Sequence, residues 1–125
     1  MQKISLDEHF SRVQFLPNRS PEMPDEETAG AFSTLSAYRG GGIYIGHYAG
    51  NSQWERHAED EIVMVLEGCT TLFLMENGEE TGHTLGTMEL VVVPANTWHR
   101  FETPKGVKVF SVTPDPTDHV SQLPG

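Results

Sequence analysis

The sequence predicts a single all-β domain, and three observations support this fold class. The chain has 125 residues and a mass of 13.9 kDa, enough for one hydrophobic core. Beyond residue 40, short runs rich in β-branched and aromatic residues alternate with turn residues, at a spacing typical of β-sandwiches and barrels. None of these runs is separated from the next by a segment with the period of an amphipathic helix.

Seven strands are predicted from residue 40 onward. The Asn77-Gly78 pair favours a two-residue hairpin between two of them. Pro94 and Pro104 are placed at strand ends, where a missing N–H group carries no cost. The predicted strands are 43–49, 61–66, 70–75, 81–85, 89–93, 99–103 and 107–112.

The N-terminal part of the chain has a different composition. Residues 1–32 are predicted to form an irregular arm, and residues 33–125 the β domain with a short C-terminal tail. Prolines spread among polar residues in the arm discourage both helix and central strand. Ser5, with Glu8 three residues later, is a helix-capping pattern and predicts one helical turn over residues 6–10.

Composition excludes several classes of function. The formal net charge of −10 opposes nonspecific binding to nucleic acid or to anionic membranes. The sequence has no long apolar stretch, and its first residues lack the apolar region of a signal peptide. Cys69 is the single cysteine, so no internal disulfide is expected. A cytoplasmic location is therefore predicted.

Two stretches, 54–68 and 91–101, carry histidines and carboxylates beside β-type runs. In a strand, alternation places Glu55 and His57 on one face. Glu61 begins a strand whose two faces are otherwise apolar, so this strand is predicted to be covered on both sides. A glutamate at the mouth of such a strand must be paired, protonated or bound to a cation.

The downstream stretch contributes one more inward group. His99 shares a face with Phe101, opposite Arg100 and Glu102, so the pattern turns His99 inward. The two stretches together would bring imidazole and carboxylate groups from different strands to one place, as a metal site requires.

Together the two stretches resemble the two signature motifs of the cupin superfamily. Gly68 follows Glu61 at the motif spacing, and His57 stands four residues before Glu61, where the second histidine of the first motif belongs. Glu55 occupies the place of the first histidine. In the second motif, Pro94 to His99 matches with Asn96 in place of glycine, a mild change because asparagine tolerates a left-handed backbone.

The resemblance covers roughly residues 40–113 and implies a jelly-roll β-barrel with one metal inside. It implies His57, Glu61 and His99 as metal ligands, with Glu55 as a fourth ligand or a neighbouring acid. It also implies Fe, Mn or Zn as the metal, with Ni as a further candidate, and Glu55 or Glu61 as the proton-transferring group of an enzyme. The residues expected to line the ligand pocket are His47, Val63, Val65, Phe73, Met75, Phe101 and Val109.

Three functions are compatible with this pattern. The first is a metal-dependent enzyme, either a dioxygenase or an isomerase or lyase, that acts on a small organic acid or enol. The second is a non-catalytic module that binds a small molecule or a metal, which the loss of the usual first histidine favours. The third is a structural cupin without metal, in which His57 and His99 only form hydrogen bonds and Glu61 pairs with an arginine.

Two further predictions concern His47 and assembly. His47 lies on the strand before the first motif, where it is either a pocket residue or a core histidine with its hydrogen bonds satisfied. The exposed strand edges of a jelly roll favour pairing with a second copy, so a homodimer is expected.

Overall fold

A computed structural model describes residues 1–124 of the chain. The predicted all-β class is confirmed, because strands form most of this part of the chain and the helices are short. The strands are β1 (Leu16–Arg19), β2 (Phe32–Tyr38), β3 (Gly41–Asn51), β4 (Trp54–His57), β5 (Glu61–Gly68), β6 (Thr70–Glu76), β7 (Glu79–Leu85), β8 (Leu90–Val93), β9 (His99–Pro114) and β10 (Thr117–Val120). The helices are α1 (Leu6–Phe10), α2 (Asp25–Thr28) and a 3-10 turn at Ala29–Ala31.

All ten strands of the described chain belong to one sheet. Its central path runs β1-β3-β9-β4-β10, and β2 pairs with β3. The β6–β7 hairpin and the β5–β8 pair both join the sheet at β9. Over residues 1–124 the hydrogen-bonded path does not return on itself, so the closed barrel stays a prediction.

Two local sequence patterns form the structures predicted for them. The Ser5 side chain caps α1 by accepting a hydrogen bond from the Glu8 backbone N–H. Asn77 and Gly78 both have positive φ angles, 52° and 78°, and connect β6 to β7 in register. These angles are those of the tight hairpin turn that an Asn-Gly pair favours.

The placement of Pro104 at a strand end is wrong. Residues 99–114 form one long strand, β9, which was predicted as two. Pro104 lies on its exposed side, and Gly106 has a φ of 98°. The register between β3 and β9 shifts here, between Tyr48 and Gly50 of β3, so the irregularity accommodates the proline without ending the strand.

Residues 1–32 contain more regular structure than predicted. β1 and α2 both form in this segment. β1 carries Pro17, and it pairs in parallel with β3 at the edge of the sheet, where a proline is tolerated. Leu16 of β1 packs against the core, so the segment is docked on the sheet. The domain boundary after residue 32 stays a prediction.

The core occupies one face of β5 and the strands around it. Glu61, Val63 and Val65 of β5 are buried, as is His99 of β9. The prediction that both faces of β5 are covered is wrong: Ile62 on the other face is 38% exposed in the single chain. The buried core cluster consists of Tyr48, Val63, Val65, Leu72, Leu74, Leu85, Val93, Phe101 and Val107.

None of the helices in residues 1–124 has the length and apolar character needed to cross a membrane.

Candidate metal centre

Three of the predicted ligands lie close together on the buried face of the sheet. His57 ends β4, Glu61 begins β5 and His99 begins β9. Their ligand atoms all lie within 4.8 Å of one another. Glu61 Oε1 is 3.1 Å from His99 Nε2 and 3.4 Å from His57 Nε2. The three side chains are almost fully buried.

Backbone hydrogen bonds hold the two motif stretches against each other. The Asn96 N–H donates to the His57 carbonyl at 2.7 Å, and the Ala95 N–H donates to the Asp60 carboxylate at 2.8 Å. Asn96 has a φ of 58°, so it adopts the left-handed backbone expected where the motif usually has glycine. The loop before β9 and the turn before β5 therefore form one unit, which fixes the position of all three ligands.

Each imidazole is oriented through its Nδ1 atom. His99 Nδ1 lies 3.0 Å from the Thr97 carbonyl oxygen, so it carries the proton and donates it there. His57 Nδ1 lies 3.0 Å from the hydroxyl oxygen of Thr117, which is opposite His57 in the β4–β10 register. Metal-binding histidines are commonly held in this way, with Nε2 left to face the metal.

The charges of the centre are strongly coupled. Burial alone would raise the pKa of Glu61, but the two imidazoles beside its carboxylate and the Thr113 hydroxyl lower this pKa to about 2. Burial alone would lower the pKa of His99, but the hydrogen bond and negative charge of Glu61 raise it above its usual value. The two shifts share one cause, because each group favours the charged form of the other.

Glu55 faces the same cavity but lies outside the three-residue group. It is opposite His99 in the β4–β9 register, so the two side chains share a face. Its carboxylate is not among the ligand atoms that come within 4.8 Å of one another. Burial, and then the negative charge of Glu61, raise the pKa of Glu55, which favours a protonated carboxyl beside the centre.

The donor set fits a divalent transition metal. His57 Nε2 is a buried side-chain nitrogen that forms no hydrogen bond in the described chain, and the Glu61 Oε1 atom lies 3.4 Å from it. Leaving such an atom unpaired is costly, and a bound metal would satisfy it. Two imidazoles and one carboxylate suit Fe, Mn or Zn and leave coordination positions open for a ligand.

The arginine pairing of Glu61, which a structural cupin would use, does not form. Arg56 pairs with Asp118, and Arg100 pairs with Glu80 and Glu102. Both guanidinium groups lie on the outer side of the sheet, over tryptophan rings. Glu61 instead accepts a hydrogen bond from the Thr113 hydroxyl, at 2.6 Å to Oε2.

A cavity of about 320 Å³ opens beside the centre. Of the residues predicted to line the pocket, Val63, Phe101 and Val109 line it, and so do Glu55 and Glu61. His47, Val65, Phe73 and Met75 do not line this cavity. The other lining residues are Arg19, Asp25, Thr28, Phe32, Tyr44, Tyr48, Gln53, Ser111, Thr113, Asp115, Thr117 and His119.

Local packing explains why four of the predicted pocket residues do not line the cavity. Val65 is completely buried within the core cluster. Phe73 lies on the outer face of β6 beneath the Arg100 guanidinium, 4.2 Å from its carbon, and beside Gly82 of β7. Met75 is on that same face of β6. His47 packs on the Phe15 ring of the N-terminal segment, 4.7 Å between centroids.

Sequence patterns did not identify several residues of the site. Thr113 and Thr117 contact a ligand each, and Arg19 and His119 line the cavity. All four are distant in sequence from the motif residues that they approach. Isolated threonines and basic residues form no recognisable sequence motif. Their place at the site is therefore known only from the pairing of the strands.

Substituting Thr117 with valine tests how His57 is oriented. The change keeps the shape of the side chain and removes the oxygen 3.0 Å from Nδ1. We expect Zn²⁺ affinity to fall by about 10- to 100-fold, the usual effect of losing such a partner. Competition with a chromophoric chelator measures this, with T84V, an exposed threonine on β7, as the control. Equal affinity in T117V and wild type would contradict the orientation role.

Stability and metal binding are expected to respond to pH in opposite directions. The raised pKa of His99 stabilises metal-free protein below pH 6.5, the ordinary histidine value, and this contribution is lost as pH rises through the folded pKa. Metal must displace the same proton, so metal affinity rises over that range. Thermal unfolding from pH 6 to 9 should show a falling Tm without Zn²⁺ and a growing Zn²⁺-induced increase. A Zn²⁺-induced increase that does not change with pH would contradict this assignment.

The comparisons with known proteins agree with this geometry. The family model described as "Cupin domain" matches residues 45–113. A cupin-2 domain containing protein from Shewanella frigidimarina superposes with a TM-score of 0.67 at 18% identity, over 90% of this chain and 94% of that one. No curated protein matches the sequence.

Two dioxygenase structures share the fold at lower coverage. A hydroquinone 1,2-dioxygenase in complex with Cd²⁺ and 4-hydroxybenzonitrile has a TM-score of 0.55 at 18% identity, over 66% of this chain and 63% of that one. The hydroquinone 1,2-dioxygenase from Sphingomonas sp. TTNP3, with 4-hydroxybenzoate bound, has a TM-score of 0.57 at 14% identity, over 66% and 64%. At these identities the likeness concerns the fold.

Proposed function

The chain belongs to the cupin domain family, and from that premise we propose that it is a metal-dependent enzyme acting on a small organic acid or enol. The observation that carries the proposal is the buried group of His57, Glu61 and His99, in which the His57 Nε2 atom forms no hydrogen bond in the described chain and lies 3.4 Å from the Glu61 carboxylate. Of these three residues, Glu61 lines a cavity large enough for a small ligand.

Each side chain of the candidate site has a defined role in this proposal. His57, Glu61 and His99 hold the metal, which when bound supplies Lewis acidity or, as iron, dioxygen chemistry. Thr113 fixes Glu61 through the hydrogen bond to Oε2, and Thr117 and Thr97 fix the imidazoles. Substrate would enter through the cavity, whose wall includes Glu61.

Glu55 is the proposed proton-transfer group. It lies at the cavity wall beside the three ligands, and its raised pKa keeps a proton on the carboxyl at a higher pH than an ordinary glutamate would. A carboxyl group of this kind donates a proton to a bound ligand and takes it back during turnover. Glu61 is less suited to this task because its pKa is about 2.

Metal analysis of purified protein tests the proposal. We expect close to one Fe, Mn or Zn per chain and a higher Tm after loading, because a ligand that binds only the folded state stabilises it. Absence of bound metal, together with an unchanged Tm on adding Fe²⁺, Mn²⁺, Zn²⁺ and Ni²⁺, would contradict it.

A non-catalytic binding module is the second candidate, and Glu55 is the observation that favours it. A carboxyl group stands where the resemblance calls for an imidazole, and it lies outside the three-residue group. Oxygen consumption by iron-loaded protein, and conversion of small acids or enols by Mn- or Zn-loaded protein, distinguish the two functions. Metal binding without turnover in any of these assays would favour the module.

A homodimer remains the prediction for assembly, and one surface supports it. Ile62, Met88, Leu90 and Val92 are exposed on β5, on β8 and in the turn before β8, at 38 to 72% of their surface. β8 has β5 as its one strand partner in the described chain, so its outer edge is open for pairing with the same edge of a second copy. Light scattering should give twice the 13.9 kDa chain mass, and V92E should give the chain mass. A monomeric wild type would contradict this.

A further inference from the structure

The cavity beside the metal centre contains one arginine. Arg19 is the single Lys or Arg among the described residues that line it. It comes from β1, in the N-terminal segment, while the metal ligands come from β4, β5 and β9. The guanidinium group and the ligand group therefore belong to separate parts of the fold that meet around one cavity.

The position of Arg19 is well defined. Arg19 pairs with Gly50 of β3, where the two backbones come so close that a Cβ at Gly50 would collide with the Arg19 carbonyl oxygen. The guanidinium carbon lies 4.9 Å from the Phe32 ring centroid and 4.6 Å from that of Tyr48. Cation–π contacts of this kind help to hold an arginine side chain in place.

The N–H groups of Arg19 have no carboxylate partner in the described chain. Three other arginines of residues 1–124 have an Asp or Glu oxygen within 4.0 Å: Arg12, Arg56 and Arg100. No Asp or Glu oxygen of the described chain lies within this distance of Arg19. Four acids line the same cavity without coming that close: Asp25, Glu55, Glu61 and Asp115. A guanidinium fork that stacks on aromatic rings at a cavity wall, with no carboxylate oxygen of the described chain within 4.0 Å, is suited to a ligand carboxylate.

The rest of the cavity wall suits an acid with an apolar body. Val63, Phe101 and Val109 form apolar wall, and Phe101 also contacts the His99 ring edge-on at 6.1 Å between centroids. The volume of about 320 Å³ is at the low end for ligand pockets, which restricts the occupant to a single ring or a short chain.

We propose that Arg19 is the specificity-determining residue of the site, binding the carboxylate of a small aromatic or short aliphatic acid whose opposite end faces His57, Glu61 and His99. The inference rests on the proposed function for the role of the metal centre. The carboxylate contact itself requires only the guanidinium group, so it can be tested with and without metal.

Paired acids and amides test this directly. Binding of benzoate against benzamide, and of propionate against propionamide, is measured by calorimetry on metal-loaded and metal-free full-length protein. Wild type should prefer the acid in at least one pair by about 10- to 100-fold in Kd, the range expected for hydrogen bonds to a charged group. R19Q should lose this preference, and R19K should recover part of it, because lysine keeps the charge without the planar fork.

Two controls separate the outcomes. R12Q, which alters an exposed arginine that pairs with Glu8 on the same segment, should keep the preference. The metal content of R19Q should equal that of wild type. Equal binding of acid and amide by wild type, or an unchanged preference in R19Q, would overturn the inference. If wild type prefers the acid through Arg19 but holds no metal, the proposed function fails while this inference stands.

Discussion

Replacing His99 with alanine is expected to lower metal affinity by more than about 100-fold, so that purified H99A retains little metal. The side chain is 1% exposed, and its Nε2 atom lies 3.1 Å from Glu61 Oε1. Losing an outer partner of a ligand already costs about 10- to 100-fold in affinity, and losing the ligand itself must cost more. Removing His99 leaves one imidazole and one carboxylate, too few donors to hold a divalent transition metal tightly.

The matched control for H99A is H83A. His83 lies on β7 with an exposed side chain and is outside the His57, Glu61 and His99 group. Metal per chain is measured by elemental analysis after identical purification, and folding of each variant is checked by circular dichroism. H83A should match wild type. Equal metal content in folded H99A and wild type would show that the ligand assignment is wrong.

Replacing Leu72 with alanine is expected to lower the free energy of unfolding by about 2–5 kcal/mol, the usual range for a fully buried leucine. Leu72 has no exposed surface and belongs to the core cluster. It lies on β6 opposite Phe101 of β9 on one side and His83 of β7 on the other. The cavity left by the lost methyl groups cannot be filled easily, because strands on both sides hold the backbone in place.

Urea unfolding of metal-free protein measures this loss without a contribution from metal binding. E22A is the control, since Glu22 is exposed in the turn before α2, away from the proposed dimer surface, and should change stability by no more than about 0.5 kcal/mol. A loss below about 1 kcal/mol in L72A would mean that the core around β6 is less tightly packed than described.

The residues around the metal centre show which features sequence patterns can predict. The spacing of His57, Glu61 and Gly68 and the Pro94-to-His99 segment were sufficient to nominate three side chains that the fold brings together. The reason is local: each histidine is next to a turn whose backbone geometry the sequence specifies, as Asn96 shows with its positive φ.

The cavity wall was harder to predict because alternation gives two faces but does not say which one is inward. On β6 the inward residues are Leu72 and Leu74, whereas Phe73 was predicted to line the pocket. Gly82 opposite Phe73 and the Arg100 guanidinium above it give an aromatic ring a favourable place on the outer face. Neither neighbour is near Phe73 in sequence.

Arg19 illustrates a second limit of sequence patterns. It lies in a proline-containing segment that reads as an irregular arm, and its role depends on the parallel pairing of β1 with β3. A parallel strand pair leaves no turn between its members, and the four-residue β1 is too short to give a periodic pattern.

The connectivity of β9 has a consequence for how the chain folds. β9 hydrogen-bonds to β3, β4, β5 and β6, so strands from both halves of the chain meet on it. These contacts are distant in sequence, which predicts slow folding, on the order of milliseconds to seconds. Because residues 1–98 lack their common partner until β9 has been synthesised, we expect the sheet to form late, in one cooperative step. The amide hydrogens of β3, β5 and β9 should then show one common free energy of opening in hydrogen exchange, equal to that of global unfolding.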